Sequence, residues 1–290
     1  YADRSRGLGD VYKRQPDASM NGETFMDAVE AAKRHIRVGD VYQLVLSICF
    51  SGECSLHPFE AYRALRLLNP SPYMYFLEFG DTAIAGSSPE ALVRLNGRSA
   101  ALRPIAGTRP RGENAEQDRE YERELLADPK EAAEHVMLVD LARNDLGRVG
   151  VPGTIRVQPS RAIERYSHVM HLVSGVVGEL EAGRDAFDLF AATFPAGTLV
   201  GAPKVKAMEL IDTYEPRRRG FYAGTVGYFD RAGSMDQAIA IRTLVFEGQR
   251  YSYQAGAGIV ADSTPANEYA EVMAKSAILK KALEIARDGL

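Results

Sequence analysis

Residues 222–258, YAGTVGYFDRAGSMDQAIAIRTLVFEGQRYSYQAGAG, hold three extended segments in succession with no helix between them. Segments 222–229, 236–246 and 250–258 read as strands joined as hairpins, which is antiparallel chemistry. Nearer the N-terminus, Phe25, Ala28, Val29, Ala32 and Ile36 fall at helical spacing between Glu23 and Val38, and Gly39-Asp40 then hands over to the buried strand VYQLVLSICF at 41–50. Residues 58–68 read as a second helix, closed by Asn69-Pro70-Ser71-Pro72 before the aromatic strand YMYFLEF at 73–79, with strand-like pieces at 82–86 and 91–95. The longest helical stretch, 115–141, is interrupted by Asp128-Pro129 and reads as two helices. Strands are expected at 154–158 and 168–177, and a closing helix at 265–287 with Thr264 at its cap and Pro265 in its first turn. Helices and strands mix without regular β-α-β alternation, so the reading is α+β, antiparallel sheets backed by helices. No linker-like run follows residue 20, which makes a single compact domain the simplest organisation. Residues 1–15 have no apolar periodicity and read as a disordered or non-native lead outside the fold.

At 290 residues and 46% hydrophobic content the chain has the material for a substantial core, excluding a disordered or collagen-like protein. Thirty-five basic against 39 acidic residues leave a net charge of −4, with no surplus to grip a phosphate backbone, so nucleic acid is not an expected partner. Cys49 and Cys54 are too few for a disulfide framework or a zinc site, and no apolar run approaches a membrane span. The chain reads as cytoplasmic and reduced, without a membrane partner.

Two segments echo one another. Glu131 and Glu134, and Glu268 and Glu271, are each three apart within an expected helix, a spacing that puts both carboxylates on one face. Four such acids brought together would repel unless a cation sat among them, and hard oxygen ligands suit Mg²⁺. The same spacing also describes an ordinary solvated helix face, and the pattern alone leaves both open; the apolar run Val136–Val139 beside Glu134 argues against a simply exposed helix. Segments 104–109, 194–199 and 255–259 carry glycines that could hold anions on backbone N–H groups, although a tight turn is the default reading of each. None is a Walker loop, and Gly256–Ala261 lacks the acid that a dinucleotide fold places about 20 residues on. Glu90 follows Ser87-Ser88-Pro89 at a strand end; in an apolar pocket its pKa would rise and it could serve as a general acid, whereas in solvent it would do nothing. His168 and His171 sit three apart in a β-like segment and point to opposite faces, so they do not share one metal.

Taken together these segments resemble the chorismate-utilising enzymes, and within them the component I subunits of anthranilate synthases. The resemblance runs from about residue 17 to the C-terminus through GDVYQ at 39–43, GSSPE at 86–90, PIAGTRPRG at 104–112, AEHVMLVDLARNDLGRV at 133–149, YSHVMHLVS at 166–174, FPAGTLVGAPKVKAME at 194–209, residues 224–228, and AGAGIVADSTPANEYAE at 255–271. It implies two packed, mainly antiparallel sheets flanked by helices in a four-layer fold, with residues 16–290 as the catalytic domain. It implies Mg²⁺ held by Glu134 and Glu271, with Glu131 and Glu268 supporting them directly or through water, and binding the ring carboxylate of chorismate. Arg242 and Tyr222, with N–H groups near Gly256 and Gly258, would hold the enolpyruvyl carboxylate, and Gly107, Thr108, Thr198 and Lys275 would line the rest. Glu90 is similar to the family's general acid, which protonates the departing C4 hydroxyl as ammonia attacks C2. His171 matches the histidine implicated in the loss of pyruvate, an orienting role being its alternative.

Within the family, relatives that add water carry a lysine base where this chain has Gln43, which points to ammonia as nucleophile. Aminodeoxychorismate synthase subunits of the folate pathway often carry lysine where this chain has Ala106, which favours anthranilate and tryptophan biosynthesis. Ammonia would come from a separate glutamine amidotransferase subunit. Residues 69–74 resemble the segment that contacts feedback-inhibiting tryptophan, yet the N-terminal region completing that site in the family lies outside this sequence. The chain therefore reads as a C-terminal catalytic portion, with a non-catalytic module binding chorismate and Mg²⁺ as the competing reading.

Overall fold

The computed structural model describes residues 16–166 and 169–289; the lead expected over residues 1–15 and the expectation for His168 lie outside them. The described residues form two compact units, one from residues up to Pro89, Gly197–Thr225 and residues from Ile239 on, the other from Glu90–Ala196 and Val226–Ala238. Each is α+β with antiparallel sheets, the class read from the hairpin-rich stretch.

The first unit is organised around the strand Gln43–Glu53. Its first six residues are all buried, which is why the segment runs apolar instead of alternating. It pairs with Arg250–Ile259 from Glu53 opposite Arg250 to Leu44 opposite Ile259. Thr243–Glu247, Thr82–Ser88 and Tyr73–Phe79 continue the sheet in that order, while Asp17–Ala18 and Gly201–Ala202 both pair with Gln43–Glu53. Helices Gly22–Arg37, Pro58–Leu68 and Pro265–Asp288 bring Phe25, Val29, Leu65, Val272 and Leu279 into one core with Leu44, Leu46 and Phe246. Asn21 caps the first of these helices by accepting from the Thr24 N–H. Thr264 precedes the last helix as expected, but its side chain makes no capping bond; its carbonyl accepts from the Glu268 N–H instead. Pro265 has no N–H, so it fixes the first turn while leaving one orphan donor fewer to satisfy.

The second unit holds a six-stranded sheet ordered Thr225–Phe229, Met235–Ile239, Ala91–Asn96, Ser99–Leu102, Val176–Glu179 and Arg156–Val157. A three-stranded sheet of Ile105–Pro110, Val169–Val173 and Ala162–Arg165 is additional to the two sheets the resemblance implies. Its Met170 and Leu172 share a fully buried cluster with Leu125 of the helix Ala115–Ala127. The break expected at Asp128-Pro129 is there: Asp128 ends that helix and caps Pro129–Gly147, accepting from the Lys130 and Glu131 N–H groups.

Two strands expected to be continuous are each split between sheets. The 168–177 segment becomes Val169–Val173 in the small sheet and Val176–Glu179 in the six-stranded one. Between them the chain bends at Gly175, where a Cβ would lie 2.5 Å from the Gln158 carbonyl oxygen. The 236–246 segment divides into Met235–Ile239 and Thr243–Glu247, with Arg242 between them at φ 49°. β-Branched residues flank both junctions, Val173 and Val176 at one and Ile239 and Thr243 at the other, so β-propensity alone does not show a strand leaving one sheet for another; at the first junction the mark is Gly175.

Candidate functional site

In the first unit Gly256 and Gly258 stand in mid-strand, not in the tight turn that glycine suggests by default. Close approach explains them. A Cβ on Gly256 would lie 2.8 Å from the Tyr222 hydroxyl oxygen, and one on Gly258 would lie 2.7 Å from Gln43 Nε2. Both glycines face Ser47 and Val45 across the ladder. The Ser47 N–H is given to Glu215 and the Val45 carbonyl to Arg219, so these are non-hydrogen-bonded pairs. The N–H groups of Gly256 and Gly258 consequently point away from Gln43–Glu53, on the side where pairing with Thr243–Glu247 ends at Tyr253. That is the disposition an anion-binding backbone needs. Lys275 Nζ donates to the Gly256 carbonyl at 3.1 Å and pairs with Glu271 at 2.6 Å, one turn along the same helix. Glu268 is only 9% exposed, whereas Glu271 is exposed. Arg242 reaches Asn69 Oδ1 at 3.5 Å, and its carbonyl accepts from the Ser87 N–H. Thr198 lies in the one-turn helix Gly197–Val200. Gln43 is buried, and among the described residues its Oε1 accepts no hydrogen bond.

In the second unit Gly107, Thr108 and His171 come together. The ladder between Ile105–Pro110 and Val169–Val173 shifts register after His171, and Gly107 takes φ 61° there. His171 Nδ1 lies 3.0 Å from Thr108 Oγ1 and 3.3 Å from the Gly107 carbonyl oxygen. A carbonyl only accepts, so Nδ1 carries the proton in this arrangement; in the neutral ring Nε2 is then the acceptor, the form a base requires. Glu131 stands beside Gly107, whose Cβ would lie 3.1 Å from Glu131 Oε2. Arg109 donates to Glu131 Oε1 at 3.1 Å and to Asp128 Oδ2 at 2.9 Å. Glu134 is half-buried, but of the run Val136–Val139 only Leu138 is buried, and Val136 is 52% exposed. Glu90, half-buried, is the first residue of this unit.

The end of the Thr108 strand is clasped. Arg111 pairs with Asp118 and donates to the Tyr166 carbonyl, and Asp118 accepts from the Gly112 N–H at 2.6 Å. The Arg111 hydrogen bond, then that of Gly112, brings the Asp118 carboxyl down to about 2. Because the folded value lies below the unfolded one, the clasp stabilises the fold above the ordinary carboxylate range and is lost as pH falls through about 2. A carboxyl carbon-13 titration of Asp118 is expected to show its midpoint there; a midpoint at the ordinary 3.8 would mean that the clasp is open in solution.

The four glutamates come as two pairs, Glu131 with Glu134 in the second unit and Glu268 with Glu271 in the first. Among the described residues no three His, Cys, Asp or Glu side chains are gathered into a metal-holding group. The donor set is nevertheless all carboxylate oxygen, chemistry that fits Mg²⁺ rather than a softer metal. The sequence reading passed over the buried pair Glu215 and Arg219, 3% and 12% exposed at the side chain. Its readable signal was an acid and a base spaced i,i+4.

Residues 8–281 match the family model described as chorismate binding enzyme. The chain is 54% identical over 283 residues to anthranilate synthase component 1 of Aquifex aeolicus, covering 96% of this chain and 57% of that protein. The solved structure of anthranilate synthase component I from Streptococcus pneumoniae superposes with a TM-score of 0.85 at 44% identity, covering 92% of this chain and 60% of that one. The menaquinone-specific isochorismate synthase of Escherichia coli gives 0.85 at 26% identity, covering 93% and 63%. The chain thus spans little more than half the length of the component 1 proteins it matches. With the family model matching residues 8–281 of its 290, this chain belongs to the chorismate binding enzyme family.

Proposed function

We propose that residues 16–290 form a catalytic domain that converts chorismate and ammonia to anthranilate and pyruvate, as an anthranilate synthase component I. The observation that carries this reading is the 54% identity to the Aquifex component 1 over 96% of the chain. Tyr222, Arg242 and the N–H groups of Gly256 and Gly258 would bind the enolpyruvyl carboxylate, with Thr198, Thr108 and Lys275 around the ring. Glu134 and Glu271 would hold Mg²⁺ with Glu131 and Glu268 beside them, and the ion when bound would neutralise the ring carboxylate. Gln43 has no basic group with which to activate water, and its unpaired Oε1 suits an N–H donor such as ammonia. His171 Nε2 would take the proton whose removal lets the aminated ring expel pyruvate. Ammonia would arrive from a separate glutamine amidotransferase subunit in the cytoplasm.

The test is to mix the purified chain with chorismate, Mg²⁺ and ammonium and to identify products by fluorescence and chromatography. Anthranilate and pyruvate appearing only with metal are expected; aminodeoxychorismate as the end product would move the chain elsewhere in the family. Glu271→Ala should reduce turnover at least about 100-fold and abolish its dependence on Mg²⁺. An unchanged metal titration removes Glu271 from the ligand set.

A further inference from the structure

We propose that Glu215 and Arg219 are positioning residues that set the carboxylate-binding wall of Tyr222, Gly256 and Gly258 and hold the Thr198 turn against it. The proposal rests on the reading of that wall given above and names what shapes it.

The strand Gln43–Glu53 is covered along one edge by Gly201–Ala202, opposite Leu44 and Gln43, and by Asp17–Ala18, opposite Phe50 and Ser51. Between these short partners, Val45 and Ser47 turn their backbone groups outward, and no strand among the described residues receives them. Glu215 and Arg219 fill the gap. Glu215 Oε1 accepts from the Ser47 N–H at 2.8 Å and from its hydroxyl at 2.7 Å. Arg219 Nη2 donates to the Val45 carbonyl at 2.7 Å. Arg219 also grips both oxygens of Glu215, Nε to Oε2 at 2.9 Å and Nη2 to Oε1 at 2.6 Å. Gln254 Nε2 completes the set by donating to the Ser47 hydroxyl at 2.8 Å.

What these groups hold is informative. Ser47 and Val45 are the cross-strand partners of Gly256 and Gly258. The third hand of the guanidinium, Nη1, donates to the Leu199 carbonyl at 2.6 Å, the residue after Thr198. Its face lies over the Tyr222 ring, 5.5 Å from the centroid. One planar fork therefore fixes the strand behind both glycines, the Thr198 turn and the tyrosine whose hydroxyl lies against Gly256. A lysine has the charge but neither the fork nor the stacking face.

The test is steady-state kinetics of Arg219→Lys and Glu215→Gln with chorismate, Mg²⁺ and ammonium, alongside thermal unfolding. A displaced wall loses binding ahead of chemistry, so KM for chorismate should rise at least about tenfold with kcat within about threefold of wild type. The half-saturating Mg²⁺ concentration should move less than KM, since the bonds of Glu215 and Arg219 run to Ser47, Val45 and Leu199. KM within about threefold in either folded variant overturns the proposal, as does a fall in kcat at constant KM. If Arg219→Lys does not fold, Glu215→Gln carries the test, and if neither folds the pair belongs to the fold alone and the proposal fails. Should the wild-type chain turn nothing over, the reading of its function falls, and calorimetric binding of chorismate decides the positioning: a tenfold weaker Kd in the variants supports it, while equal affinities or no wild-type binding overturn it.

Discussion

Glu90→Gln is expected to bind chorismate with near wild-type affinity and to turn it over roughly 10²–10⁴-fold more slowly. The amide has the shape of the acid but no proton to give. In the proposed reaction the C4 hydroxyl departs as ammonia attacks C2, and an unprotonated hydroxide is a poor leaving group, so the proton matters only as the bond breaks. An interaction made only in the transition state lowers kcat and kcat/KM together and leaves substrate binding alone. Glu90 is half-buried and follows Pro89, whose ring fixes the backbone at the end of the strand Thr82–Ser88, buried from Ala83 onward. The groups assigned to binding are other residues, so affinity and turnover can part. Steady-state kinetics and a calorimetric dissociation constant separate the outcomes. Full turnover would end the general-acid assignment, and a parallel loss of affinity would make Glu90 a binding residue.

The sequence was most informative where a single property decided a single element. Asp128-Pro129 marked a helix break because proline tolerates only the first turn, and the structure puts the cap there. The apolar run from Gln43 marked a strand covered on both faces. What periodicity missed was sheet membership: Ile239 and Thr243 lie four residues apart in β-favouring sequence, yet they end and begin strands in different sheets. The site followed the same division. Gly107, Thr108 and His171 were singled out separately, and the structure adds the bulge that joins them. Arg219 escaped notice because two of the partners it holds, Val45 and Leu199, are distant in sequence and contribute only backbone oxygen. A carbonyl acceptor leaves no trace in residue identity.

A methyl group at Gly201 should cost more stability than one at any glycine in an open turn. Gly201 pairs with Leu44 at φ 124°, a conformation L residues rarely adopt, and its Cβ would lie 2.2 Å from the Gln43 carbonyl oxygen. Backbone oxygen in a ladder cannot swing aside as a side chain can, so relief requires moving the start of Gln43–Glu53, whose first six residues are all buried. Strain of this kind costs about 1–3 kcal/mol and overpacking a further 1–3, so Gly201→Ala should lose roughly 2–6 kcal/mol. Against a typical total of about 5–15 kcal/mol, that brings the fold close to its limit. Gly233 supplies the control: its φ is 87°, but a Cβ there meets nothing within 4 Å. Gly233→Ala therefore bears only the conformational penalty, about 1–2 kcal/mol. Urea unfolding of both variants reads the difference. Equal losses would mean that Gly201 does not approach the Gln43 carbonyl so closely in solution. A larger loss at Gly201, with chorismate KM raised in whatever remains folded, would tie the two-residue strand to Gln43, because the clash falls on the backbone that carries that side chain.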